Sequence, residues 1–169
     1  MLAPIEIVKA AVAALNAHDT AAITSFWAPN GEERFPDAVC HGHDEIARYF
    51  QGVFDAIPDL RVEPRAFAAE GDSVFMRSVI TGTHTGGTFK GIAPTGKRVE
   101  IPAIDHFTVR DGKIVSNFVV FDQMEMGRQL GLLPPDDSLA DKALKTVFNG
   151  LTKVRRLAAA RGRPPDGTT

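Results

Sequence analysis

Apolar residues recur at three- and four-residue spacing near the start of the chain. Ile5, Val8, Val12 and Leu15 form one stripe, which predicts an amphipathic helix, with Pro4 suited to its first turn. Asp19 is placed to cap a second short helix, "TAAITSFW", and "APNGE" breaks it because Pro29 and Gly31 form turns. A third helix fits "HDEIARYFQGVFDAI", with Ile46, Phe50, Val53 and Phe54 on one side and Pro58 beyond its end. The loop before it places a cap at His43 or Asp44.

The period then changes. "RVEPRAFAAEG", "DSVFMRSVITGTH", "KRVEIPAIDHFTV" and "KIVSNFVVFD" are rich in β-branched and aromatic residues and are separated by turn signals. The intervals suit antiparallel neighbours, with Pro64 and Pro102 at edges or bulges. Helices followed by a curved antiparallel sheet make an α+β domain, and a sheet bent around helices leaves a pocket on its concave side. After "GLLPPDD", Ser138 and Asp141 form a capping box for a further helix with the stripe Leu144, Val147, Phe148, Leu151 and Val154. The expected division is a domain over residues 1–135 and a helical extension with a flexible tail, "RGRPPDGTT", over 136–169.

The stretch "DHFTVRDGKIVSNFVVFDQ" carries the candidate chemistry, and its turn decides which residues face a pocket. If Asp111-Gly112 is a two-residue turn, Arg110 pairs with Lys113 and Asp122 shares a face with Asp105. If Arg110-Asp111-Gly112 is a three-residue loop, Val109 pairs with Lys113 and Asp122 shares a face with Ile104, His106, Thr108, Ser116, Phe118 and Val120. The second register is preferred, because it lines an apolar strip with a histidine and a carboxylate. A carboxyl in such a strip has its pKa raised toward neutrality, as a general acid or base requires. Asp122 equally suits the N-cap of "QMEMGRQLG". Trp27 serves as core or pocket lid, and Arg77 faces an anionic group or reaches to the sheet edge.

Composition narrows the function. Apolar residues are 44% of 169 and the net charge is -2, which gives no pull toward nucleic acid or an anionic membrane. The single cysteine, Cys40, excludes an internal disulfide framework and reads as a small semi-buried thiol. No apolar run is long enough for a membrane span, and the default compartment is the cytoplasm. His41 and His43 lack the companions of a metal site, and "GTHTGG" lacks the strand-to-helix context of a phosphate loop.

The run "GTHTG…F.GI.PTGK.V", followed by "DGKI" and "D…QLGLLP", resembles the SnoaL-like polyketide cyclases of the nuclear-transport-factor-two-like superfamily. The matching pieces run from residue 5 to about 135. The resemblance implies a cone-shaped domain, commonly a homodimer through the sheet, that performs acid–base chemistry without a cofactor or metal. In those cyclases an aspartate on the last strand closes a polyketide ring by intramolecular aldol reaction. Asp122 matches that position, and His106 and Thr108 match the polar residues facing it. Phe118 stands where many relatives have Trp, and Thr108 where many have Arg. The implied substrate is a hydrophobic carbonyl metabolite. An isomerase, a dehydratase, an epoxide hydrolase and a non-catalytic ligand-binding module all fit the same fold, and an epoxide hydrolase requires a second carboxyl, such as Asp105, inside.

Overall fold

The computed structural model describes residues 2–161, with side chains to residue 156. The expected tail lies outside the described residues beyond Arg161. The elements are α1 (Pro4–Asn16), α2 (Thr20–Ser25), β1 (Trp27–Arg34), β2 (Val39–His41), α3 (Gly42–Ala56), β3 (Arg61–Glu70), β4 (Ser73–Thr83), β5 (Arg98–Arg110), β6 (Lys113–Phe121), α4 (Gln123–Gln129) and α5 (Leu139–Arg161). The chain divides after Gly131 into two compact units, four residues before the boundary expected at 135. The first holds α1 to α4 and the sheet. The second holds α5, whose residues Leu144, Val147, Phe148, Leu151 and Val154 are exposed. Among the described residues, no helix is long and apolar enough to cross a membrane.

The six strands lie in the order β2-β1-β6-β5-β4-β3. All neighbours are antiparallel except β1 and β6, which run parallel. The fold is thus the expected α+β, with helices against a curved sheet, but the strands β1 and β2 replace the expected break after α2. Pro29 and Gly31 are accommodated because the β1–β6 register shifts between Trp27 and Glu32. Gly31 also has to be small there, since a Cβ would meet the Ile114 carbonyl at 3.2 Å and the Trp27 ring at 3.0 Å. Pro64 lies on the edge strand β3 beside a bulge. Pro102 lies on β5 beyond the end of β6, so no ladder bond is lost on that side.

Val8 and Val12 of α1 and Ile46, Phe50 and Phe54 of α3 pack with Val74, Met76, Phe107, Val109 and Ile114 of the sheet into one core. The carboxyl of Asp19 accepts from the Ala22 amide at 2.9 Å, as its capping position predicts. The cap of α3 differs from expectation. Residue 41 is the N-cap, and its amide donates to Glu45 Oε2 at 2.8 Å.

The β5–β6 hairpin combines features of both expected registers. Its tip is a two-residue turn, with Arg110 paired to Lys113 and positive φ at Asp111 (50°) and Gly112 (76°). One step on, the register shifts, so that Val109 pairs with Ile114 but Thr108 pairs with Ser116. Val115 is the extra residue of a bulge. The body of the hairpin therefore groups His106 with Phe118 and Val120, as the preferred register required, although the loop is not three residues long. The expected direction of that face is corrected. Val99, Ile101, Ala103, Asp105, Phe107 and Val109 alternate inward along β5, and His106 points away from the core.

Gly112 is open to solvent on its Cβ side, so Gly112→Ala meets only the backbone cost of its left-handed conformation. That variant should lose about 1–2 kcal/mol in urea unfolding, and an unchanged midpoint would exclude the two-residue turn.

Candidate active site

Between the helices and the inner face of the sheet lies a cavity of about 130 Å³. Its wall is apolar except where Glu33, Asp105, Asn117 and Ser78 line it from the sheet. These four are 2%, 7%, 4% and 1% exposed, so any hydrogen bond they make is within the protein or to a bound molecule. They come from four adjacent strands. Glu33 on β1 pairs with Asn117 on β6, Asp105 on β5 lies two residues from the partner of Asn117, and Ser78 on β4 lies two residues from the partner of Asp105.

Asn117 is the hub. Its Nδ2 donates to Glu33 Oε1 at 2.9 Å and to Asp105 Oδ1 at 3.2 Å. Burial holds the Asp105 carboxyl up at about 6, against the lowering effect of the Asn117 hydrogen bond. Glu33 is raised well above the usual carboxylate range, first by burial and then by the charge of Asp105. The order of ionisation follows. The charge of Asp105 is among the causes that raise Glu33, so Asp105 gives up its proton first and Glu33 holds its own more tightly, a division that supplies a base and an acid in one site.

Aromatic residues shape the rest. Trp27 is buried and lines the cavity from β1, rather than ending a helix. Phe35 and Tyr49 stack at 3.8 Å, and Tyr49 donates to Asp37 Oδ1 at 3.3 Å. Lys90 forms an ion pair with Asp37 and lies over the Tyr49 and Phe89 rings, which ties the β4–β5 loop to the β1–β2 connection. Cys40 is buried, and burial raises its thiol pKa.

Most residues expected at the site are elsewhere. Asp122 is the N-cap of α4, is exposed, and accepts from the Glu125 amide at 2.9 Å. His106 faces the other side of the sheet, stacked on Phe75 at 4.3 Å with its Nε2 3.4 Å from Ser73 Oγ. Arg77, Thr108 and Phe118 share that outer face, because they fall on the opposite parity from Met76, Asp105 and Asn117 in their strands. Of the expected set, only Trp27 lines the cavity. Glu33, Asn117 and Ser78 were not expected. Their detectable signals were the alternation of Glu33 with the outward pair Glu32 and Arg34, and the single polar residue in each inward-facing series.

A cluster of acidic side chains was also not expected. The carboxylates of Asp136, Asp137 and Asp141 lie within 4.8 Å of one another. Lys145 sits on two of them, 2.6 Å from Asp141 and 3.2 Å from Asp136, and so already supplies positive charge.

Residues 5–130 match the family model of the SnoaL-like polyketide cyclases. Among solved structures, AclR of Streptomyces galilaeus, a proposed hydroxylase, is 30% identical, with 78% of this chain and 97% of that one covered and a TM-score of 0.68. IdmH of Streptomyces antibioticus, a proposed polyketide cyclase, is 25% identical over 77% and 99%, with a TM-score of 0.66. A proposed SnoaL-like cyclase of Jannaschia sp. CCS1 shares the fold at 21% identity over 78% and 93%, with a TM-score of 0.70. No curated protein matches the chain. With three-quarters of its length matched by one family model and its fold matched by these structures, the chain belongs to the SnoaL-like polyketide cyclase family.

Proposed function

We propose that this protein is a cofactor-independent enzyme that closes a ring by acid–base chemistry on an apolar carbonyl metabolite, with Asp105 as base and Glu33 as acid. One observation carries this reading: two carboxyl groups, joined through the Asn117 amide, are buried in the sheet-side wall of an otherwise apolar cavity. Asp105 takes a proton from carbon beside a carbonyl, and the C–H pair becomes an enolate. The enolate carbon adds to a second carbonyl of the same molecule, and the new alkoxide takes the proton of Glu33. A proton passing from Asp105 back to Glu33 resets the pair. Exclusion of water keeps both transfers within the site. At about 130 Å³ the cavity matches the size that holds a single-ring molecule, so a larger substrate requires its aromatic walls to move.

The carboxyl pair also favours a second reading, hydration of an epoxide, in which Glu33 protonates the ring oxygen and Asp105 activates water. Incorporation of labelled oxygen from water separates the two, since ring closure by aldol addition incorporates none.

Asp105→Asn should slow deuterium exchange beside the carbonyl of ketone probes such as acetophenone by at least about 100-fold. Asp122→Asn, outside the cavity, should leave it within about twofold. Equal rates in Asp105→Asn and the wild type would remove the proposed base. Exchange should rise with pH through about 6 as Asp105 ionises.

The same raised pKa makes a stability prediction of definite sign. Between the ordinary aspartate value near 3.8 and about 6, the folded state holds a proton that the unfolded state has released. Stability from this group is therefore highest below that window and falls as pH rises through it, by about 3 kcal/mol in total. Urea unfolding from pH 4 to 7 should show a flatter profile for Asp105→Asn than for the wild type, and parallel profiles would contradict the buried ionisation.

The outer sheet face supports a homodimer, since Phe75, Ile104, Phe118 and Val120 are 47–53% exposed there. Ile104→Asp with Phe118→Asp should halve the mass measured by light scattering, and a wild type that runs as a monomer would exclude that pairing.

A further inference from the structure

Ser78 sits in the middle of β4, 1% exposed, on the inward face that lines the cavity. Its Oγ has no hydrogen-bond partner, although a hydroxyl can donate once and accept twice. Its sheet neighbours give it none: Ala103 lies directly across on β5, and Met76, two residues away on β4, faces Asp105. A buried hydroxyl without a partner destabilises the protein, and such a group marks a place where something else supplies the bond. The Asn117 carbonyl Oδ1 is the other such atom in the cavity.

The two orphans differ in what they can serve. Asn117 Oδ1 only accepts, and its Nδ2 is spent on the two carboxyls. Tyr49, the other hydroxyl lining the cavity, donates to Asp37. A carbonyl oxygen only accepts, so among these groups Ser78 is the hydroxyl left to meet it. Diagonal neighbours on adjacent strands are about 7–8 Å apart, which leaves room for a carbonyl oxygen at Ser78 and its adjacent carbon at Asp105.

We propose that Ser78 binds the carbonyl oxygen of the substrate, so that the cavity selects apolar ketones or esters over hydrocarbons of the same shape; this rests on the acid–base reading of the Asp105 site. When Asp105 removes the adjacent proton, the C–H electron pair moves into a carbon–carbon double bond and negative charge develops on the oxygen that Ser78 faces. The hydroxyl donates to that oxygen throughout and is neither consumed nor ionised.

The test compares acetophenone with α-methylstyrene, in which a methylene group replaces the carbonyl oxygen. Trp27, the single tryptophan of the chain, lines the cavity and reports binding by its fluorescence. Ser78→Ala should shift the ketone-to-alkene affinity ratio about fivefold or more toward the alkene, while α-methylstyrene affinity changes less than about twofold. The same variant should melt about 2–4 °C higher, because it removes an unpartnered buried hydroxyl. Ser78→Cys, with a weaker donor of similar size, should give an intermediate ratio and decides the matter if the alanine variant does not fold. A ratio unchanged within about twofold in these variants overturns the proposal, as does a lower melting temperature with no change in ratio. Asp105→Asn keeps the two readings apart. A ratio that depends on Ser78, without exchange that depends on Asp105, supports carbonyl docking and removes the acid–base assignment.

Discussion

The side-chain amide of Asn117 ties three strands together at one buried point. From β6 it reaches Glu33 on β1 and Asp105 on β5 through a single nitrogen. Two like-charged carboxylates at that depth would repel and would each lose water, so the pair is tolerable only with a proton retained and a donor shared between them. The amide meets the second condition and the raised affinity of Glu33 for its proton meets the first. Apolar side chains of similar volume would make a more stable core here. A local arrangement that opposes stability while everything around it is apolar is the pattern of a site kept for chemistry.

Asn117 reaches this position only because of the bulge at Val115. Ile114 is fully buried beside the hairpin tip, and Asn117 follows it by three residues. In a regular strand, residues an odd number apart face opposite sides. The extra residue changes the parity between them, so both point inward, and the turn at Asp111-Gly112 is left unaltered. The same shift directs Phe118 and Val120 outward, next to Ile104 and His106. The polar strip that drew attention in the sequence is therefore a real surface of the sheet, on the side away from the cavity.

Much of this was legible beforehand, and the rest was hidden for physical reasons. The helices, the four long strands and the caps at Asp19 and Asp122 follow from periodicity and local hydrogen bonding. The inward alternation Val99, Ile101, Ala103, Asp105, Phe107, Val109 was also written in the sequence, with charged residues and a proline among the outward positions. It argued for Asp105 directly, but the turn left both registers open and the one that lines an apolar strip with a histidine and a carboxylate was preferred; a turn cannot report a bulge farther along the strand. Strand β1 was hidden because Pro29 and Gly31 are turn formers and because its partner β6 is distant and parallel, so no hairpin signal joins them. Glu33 was hidden with it. Ser78 carries no signal of its own, since a serine within a strand is ordinary until its neighbours are known.

Glu33, Asn117, Asp105 and Ser78 form a diagonal row across β1, β6, β5 and β4, one polar side chain from each strand. Helices α1 to α3 contribute only apolar and aromatic side chains to the walls facing them. The division assigns different tasks to the two layers. The helices and aromatic residues set the size and shape of the cavity, and the sheet sets where proton donors and acceptors stand. Because strand positions are fixed by register, a one-residue slip in any of the four strands would withdraw its polar group altogether. In the proposed mechanism the chemistry thus depends on backbone pairing as much as on side-chain identity, and helix residues that line the cavity can change without disturbing the polar row.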